Sequence, residues 1–243
     1  MYSECYINLE VDWDLSEAGS RLSWERGYVA RPRVFDLEKA LQTATVMFWK
    51  KGYEQTSVAD LTAEMGITPP SFYFAFESKD GLFRKVIEHY ATNYLGFMED
   101  AFRQPTARGV AETMLYGCAD LYSNRSNPRG CLIVNCSLPS SETTVQVRQE
   151  LATQRKARRA KLRKRFQEAK ASGDLPPDSD PEELAHFVSS IRWGLAVEAQ
   201  SGANKRDLYR IVARAMQSWP APCAWHLARK PISREPQKLK GRG

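Results

Sequence analysis

Three helix starts and two glycine stops, packed into the stretch from Asp36 to Phe74, leave this chain little choice of fold. Asp36 precedes Leu37, Leu41, Ala44 and Phe48, an apolar stripe at spacings of four, three and four, which a period of 3.6 residues brings onto one face. Asp36 can cap that helix, Lys50 and Lys51 suit its last turn, and Gly52 suits the position beyond. A helix of about fifteen residues is predicted. Ser57 and Asp60 form a capping pattern, and Val58, Leu61 and Met65 make the stripe of a two-turn helix that Gly66 stops. The third start is the odd one. Gly66-Ile67-Thr68-Pro69-Pro70-Ser71-Phe72-Tyr73-Phe74 has two prolines where a loop would be read. With Thr68 as N-cap, Pro69 at N1 and Pro70 at N2, the prolines remove only N–H groups that have no partner inside a helix. Because Pro70 disfavours α geometry at Pro69, a 3₁₀ start is compatible. Two short helices around a glycine turn fit helix-turn-helix geometry, with Leu61, Met65, Ile67 and Phe72 spaced for the crossing.

The remainder reads as helical too. Ser78 starts a fourth helix, and Leu82, Val86, Ile87, Tyr90, Tyr94, Phe97 and Met98 keep its period to about Phe102. Residues 107–124 form another, with Val110, Met114, Leu115, Cys118 and Leu121 inside. The run "GCLIVNCSL" suits a strand or a helix; with no partner strands it is taken as helix. Residues 142–172 make a long charged helix ended by Gly173 and Pro176-Pro177. Asp180-Pro181-Glu182-Glu183 starts the next, with Leu184, Phe187, Val188, Ile191 and Leu195 as its stripe. Asn204 with Asp207 starts the last, carrying Leu208, Ile211, Val212, Ala215 and Trp219. Residues 1–30 show no sustained period, which predicts poor order. Residues 220–243 are Pro-rich and basic, which predicts a disordered tail.

Composition narrows function less than fold. The 243 residues carry a net charge of +6, a mild excess that favours an anionic partner without requiring one. Five cysteines without paired spacing argue against a disulfide framework. No secretory segment and no run of about 18 apolar residues is evident, so a soluble, cytoplasmic protein with no membrane partner is expected. The chain has no GxSxG, GxGxxG, P-loop, HExxH or CxxC pattern. No catalytic residue or cofactor is expected. Cys131 and Cys136 lack a second ligand pair, and His89, His186 and His226 are isolated, so no metal is expected.

The segment "ALQTATVMFWKKGYEQTSVADLTAEMGITPPSFYFAFESKDGLF" resembles the N-terminal domain of the TetR family of bacterial transcriptional regulators. The spacing Tyr73-x-x-Phe76-x-x-Lys79-x-x-Leu82 carries the resemblance, as does Gly52-Tyr53 followed by Thr56-Ser57-Val58. "RGCLIVN" also looks like a segment of the ligand domain of some members. The resemblance implies an all-α homodimer that binds double-stranded operator DNA as a repressor and answers a small apolar or amphipathic effector. It divides the chain into a three-helix DNA-binding head at 31–89 and a ligand-binding and dimerisation body at 90–219. Thr68, Pro69, Pro70, Ser71, Tyr73 and Phe74 would lie on the recognition helix. Tyr73 and Lys79 match phosphate-holding positions, and Thr56 and Ser57 stand where phosphate meets the second helix. Arg31 and Arg33, in an arm before the first helix, would reach phosphate or minor groove.

This sequence also departs from the family's habits. Thr62 stands where Ala is usual, so its hydroxyl must bond back to the chain. Pro69-Pro70 stands where many members carry Lys or Arg and Gly. The tip therefore offers DNA few amides and no cation, which predicts base reading through thymine methyls with Ser71 as the main polar reader. Family members often begin near the run Ala30 to Asp36; a GUG start at Val29 would make residues 1–28 an over-extension, which intact mass of the native protein decides.

Tyr94, Phe97, Met98, Phe102, Met114, Cys118, Cys131 and Trp193 are candidate linings of an effector cavity, and equally plain core. The eight Lys/Arg of residues 155–165 are read as a solvated face, with Leu151, Leu162 and Phe166 turned inward. Two other readings stand beside the regulator: a helical protein-interaction module without specific DNA binding, and a sensor of oxidants or electrophiles acting through Cys131. Operator affinity unchanged by thiol alkylation would remove the sensor.

Overall fold

The structure is a computed structural model that describes residues 36–137 and 145–220, and every regular element among them is a helix. In order these are α1 (Leu37–Lys51), α2 (Val58–Met65), α3 (Pro69–Phe76), α4 (Lys79–Tyr94) and α5 (Phe97–Phe102). There follow α6 (Ala107–Ser123), α7 (Leu132–Asn135), α8 (Val145–Ala171), α9 (Pro181–Gln200) and α10 (Lys205–Gln217). The caps read from sequence are made atom by atom. The Asp36 carboxylate accepts from Lys39 N at 3.0 Å, and Ser57 with Asp60 forms a reciprocal capping box. Thr68 caps α3 with both prolines in its first turn, and Asn204 with Asp207 forms a second capping box. Gly66 takes the left-handed conformation, φ 67°, between α2 and α3. The expectations for residues 1–30, for the tail from residue 221 on, and for the first residues of the long charged helix at 142–144 lie outside the described residues.

One expectation fails. The single helix from Ser78 to about Phe102 does not form: α4 ends at Tyr94, Leu95 leaves helical geometry, and α5 starts again at Phe97. The hydropathy period runs through the break, and packing makes it. The bend buries Leu95 and lays the Phe97 ring on Gly117 of α6, where a Cβ would stand 2.3 Å from Phe97 Cδ2.

The first four helices share an aromatic core. The Phe48 ring stacks on Tyr53 at 5.8 Å and meets Phe83 edge-on at 5.1 Å. Leu61, Phe72, Phe76 and Leu82 close the core from the other helices. Thr62 donates back to the Val58 and Ala59 carbonyls, as its position required. The body is a layered bundle in which α9 packs on α6, α8 and α10.

The one-turn helix α7 joins the two parts. Asn135 donates its amide to the Trp49 carbonyl at 2.7 Å, and the Cys136 thiol reaches the Phe48 carbonyl at 3.6 Å. The run "GCLIVNC" thus adds partners at the carbonyl end of α1, where Phe48 O already accepts from Gly52 N at 2.9 Å. Trp49 answers by donating Nε1 to the Gly130 carbonyl at 3.1 Å. On its other side Asn135 Oδ1 accepts from Gln200 of α9.

Candidate nucleic-acid interface and ligand cavity

α3 divides sharply between its two faces. Phe72 and Phe76 are buried, whereas Tyr73 is 52% and Phe74 95% exposed. With the exposed Pro69 and Pro70, the Tyr73 and Phe74 rings gather apolar surface at one end of the helix, and it is such a cluster rather than a lone ring that marks a contact surface. Pro69 and Pro70 carry no N–H, and Ser71 N is committed to Thr68 Oγ1 at 3.4 Å. The Thr68 and Ser71 hydroxyls bond each other at 2.9 Å. The first turn of α3 therefore presents two pyrrolidine rings, a hydroxyl pair and no unpaired amide. Tyr73 meets Phe72 edge-on at 5.4 Å, which fixes its ring while leaving its hydroxyl without a partner among the described residues.

The flanking candidates are placed differently. Ser57 is exposed, but its hydroxyl and amide are engaged with Asp60. Lys79 holds its ammonium 4.1 Å from the centroid of the Tyr53 ring, and partial burial there lowers its pKa. Tyr53 in turn donates to Asp80. Thr56 is a correction: its side chain is fully buried, with the hydroxyl given to the Gly52 carbonyl at 2.8 Å. It ties the α1–α2 turn and cannot meet phosphate. Arg31 and Arg33 lie outside the described residues.

The body holds a cavity of about 300 Å³ between α4, α5, α6, α8 and α9, walled by Met98, Phe102 and Met114 among others. A narrow cleft of about 20 Å³ shares Leu95, Met98, Arg158 and Arg192 with it and adds Cys131, Arg155 and Trp193. Five of the eight sequence candidates therefore line this space: Met98, Phe102, Met114, Cys131 and Trp193. Tyr94 faces α1 instead, hydrogen-bonded to Gln42 and set edge-on against Trp49. Phe97 fills the notch at Gly117. Cys118 is core, and burial pushes its thiol up to about 12. The sequence reading missed Arg155, Arg158 and Arg192, although their positions on the inward stripes of α8 and α9 were a visible signal.

No group of His, Cys, Asp and Glu able to hold a metal occurs among the described residues. No helix among them is long and apolar enough to cross a membrane.

Residues 40–86 match the family profile "Bacterial regulatory proteins, tetR family", and residues 112–216 match "Tetracyclin repressor-like, C-terminal domain". A cysteine mutant of the TetR family transcriptional regulator CifR, complexed with 26-bp double-strand operator DNA, is 38% identical with a TM-score of 0.74. The match covers 78% of this chain and 100% of that one. This chain belongs to the TetR family. The HTH-type transcriptional repressor ComR of Escherichia coli (strain K12) is 29% identical over 192 residues, 78% of this chain and 91% of ComR. The HTH-type transcriptional repressor BdcR of the same strain is 38% identical over 106 residues, 43% of this chain and 53% of BdcR. In TetR-family terms α2 and α3 are the helix-turn-helix, and α4 runs without a break across residues 89 and 90 from head to body.

Proposed function

We propose that this TetR-family chain is a cytoplasmic homodimeric repressor that reads a palindromic operator with α3 and releases it when a small molecule fills the body cavity. The partition of α3 carries the reading: two rings hold it to the head and two face outward with the proline tip. Thr68, Pro69, Pro70, Ser71 and Phe74 read the major groove, Tyr73 and Lys79 hold phosphate, and Arg31 and Arg33 add contacts from the arm. Residues 31–89 act as the head and 90–219 as the effector and dimer part. Support comes from the repressor relatives and from the relative held on operator DNA. For release, Cys131, Ile133 and Val134 form part of the cleft wall and belong to the segment that caps α1. A ligand that displaces this wall turns the head, and two heads out of step with half-sites one DNA turn apart lose affinity.

Two substitutions test the reading face. Replacing operator thymines by uracils should weaken binding by about 0.8 kcal/mol, roughly fourfold, for each methyl in contact. Unchanged affinity at every position would sink methyl reading. Tyr73→Phe should cost about 1 kcal/mol if its hydroxyl bonds phosphate, and no loss returns Tyr73 to packing. A genomic pulldown without any enriched discrete site, at moderate salt, would favour the helical interaction module instead.

A further inference from the structure

The stripe that α8 turns inward runs through Leu151, Leu162 and Phe166, each at most 2% exposed. Counted in steps of three and four, the same stripe passes through Arg155 and Arg158. α9 repeats the pattern: Ala185, Val188, Leu195 and Ala199 are fully buried, and Arg192 stands in their row. Two packed helices thus set guanidinium groups where their neighbours in the row are aliphatic. Three other cations of α8 have partners within the protein: Lys161 pairs with Glu99, Arg163 with Glu182, and Arg165 donates to the Gln104 carbonyl. Among the described residues no carboxylate pairs with Arg155, Arg158 or Arg192. Arg155 Nη1 is the one buried side-chain nitrogen or oxygen there without a hydrogen-bond partner. An unpaired buried donor is a standing cost, larger for a charged group. Burial, and then the like charge of Arg192, lowers the pKa of Arg158; burial alone lowers that of Arg155.

All three guanidinium groups border the cleft of about 20 Å³, and Arg158 and Arg192 also border the cavity of about 300 Å³. We propose that the effector is a carboxylate, its anionic end held by Arg155, Arg158 and Arg192 and its apolar body lying against Met98, Phe102 and Met114. The planar forks of arginine match the two oxygens of a carboxylate. Arg155 lies 4.8 Å over the Trp193 ring, and both residues border the cleft. A cleft this small takes little more than a water-sized group, which favours a flat carboxylate over a tetrahedral phosphate. The binding inference stands on these residues; only its consequence for DNA rests on the repressor reading.

Calorimetry on the full-length protein with butyrate, hexanoate, octanoate and benzoate, each beside its primary amide, tests it. At least one acid should bind, and its amide roughly tenfold or more weaker. Arg158→Gln and Arg192→Gln should erase that difference, and Arg158→Lys should keep part of it. Arg155→Met should weaken acid binding yet raise the melting temperature of the ligand-free protein by about 2–4 °C, because an orphan donor is gone. An arginine with a purely structural role would lower it. No acid binding, amides binding as well as acids, hexyl phosphate outbinding hexanoate, or a lower melting temperature for Arg155→Met would each overturn the inference. The same samples are titrated with enriched genomic DNA. Acid binding without any operator defeats the repressor reading and keeps the inference; operator binding without acid binding does the reverse.

Discussion

Phe72→Ala should remove operator binding while most of the helical body persists. Only Phe72 and Phe76 of α3 are buried, and their rings lie 5.4 Å apart. An eight-residue helix has no stability of its own in water, so these two rings are what dock it. Truncating a fully buried Phe costs about 3–5 kcal/mol through lost transfer energy and the cavity left behind. Gly66 and the Thr68 cap still favour the turn, but a turn does not orient the tip. Affinity should fall by a factor of about 100 or more, and urea unfolding should report the same loss of stability. A change under about 1 kcal/mol in both measurements would mean that α3 is held by something other than its rings.

Gly130→Ala should destabilise the protein by about 2–5 kcal/mol and blunt the response to effector. Gly130 sits at φ 79°, which costs an L residue about 1–2 kcal/mol. Its added Cβ would stand 2.6 Å from Gln200 Cγ and 2.9 Å from the Ala196 carbonyl. The glutamine can swing away; the helix backbone cannot, and such crowding costs about 1–3 kcal/mol. The displacement falls on the residue whose carbonyl holds Trp49 and whose amide donates to the Tyr122 carbonyl at 3.1 Å. Release of operator by the effector should then need a higher ligand concentration than in the unsubstituted protein. Wild-type stability together with a wild-type release curve would show that this joint is not pinned.

The head was legible because its signals are local. Asp36, Ser57 and Thr68 start helices through their own side chains, and Gly66 stops one through its own backbone. The break at Leu95 was not legible, since its cause is a ring from one helix entering a notch at Gly117 on another. Thr56 misled for a related reason: a hydroxyl at a helix start looks available until the Gly52 carbonyl is seen beneath it. The cavity arginines were legible and missed. Reading residues 155–165 as one basic run averaged over the period that separates Arg155 and Arg158 from their solvent-facing neighbours. The true content of that run is positional: some cations face solvent, some pair with acids, and two face inward.

Asn135 bonds Trp49 with one end of its amide and Gln200 with the other. Cutting the chain after residue 89 would strip that cap, the Gly130 carbonyl under the indole, and the Tyr90 ring packed 4.9 Å from Trp49. A head cut there loses the contacts that hold the end of α1, so it should be less stable alone than in the whole chain. Grafting it onto another sensor would then require that sensor to supply the cap that Asn135 and Gly130 give here.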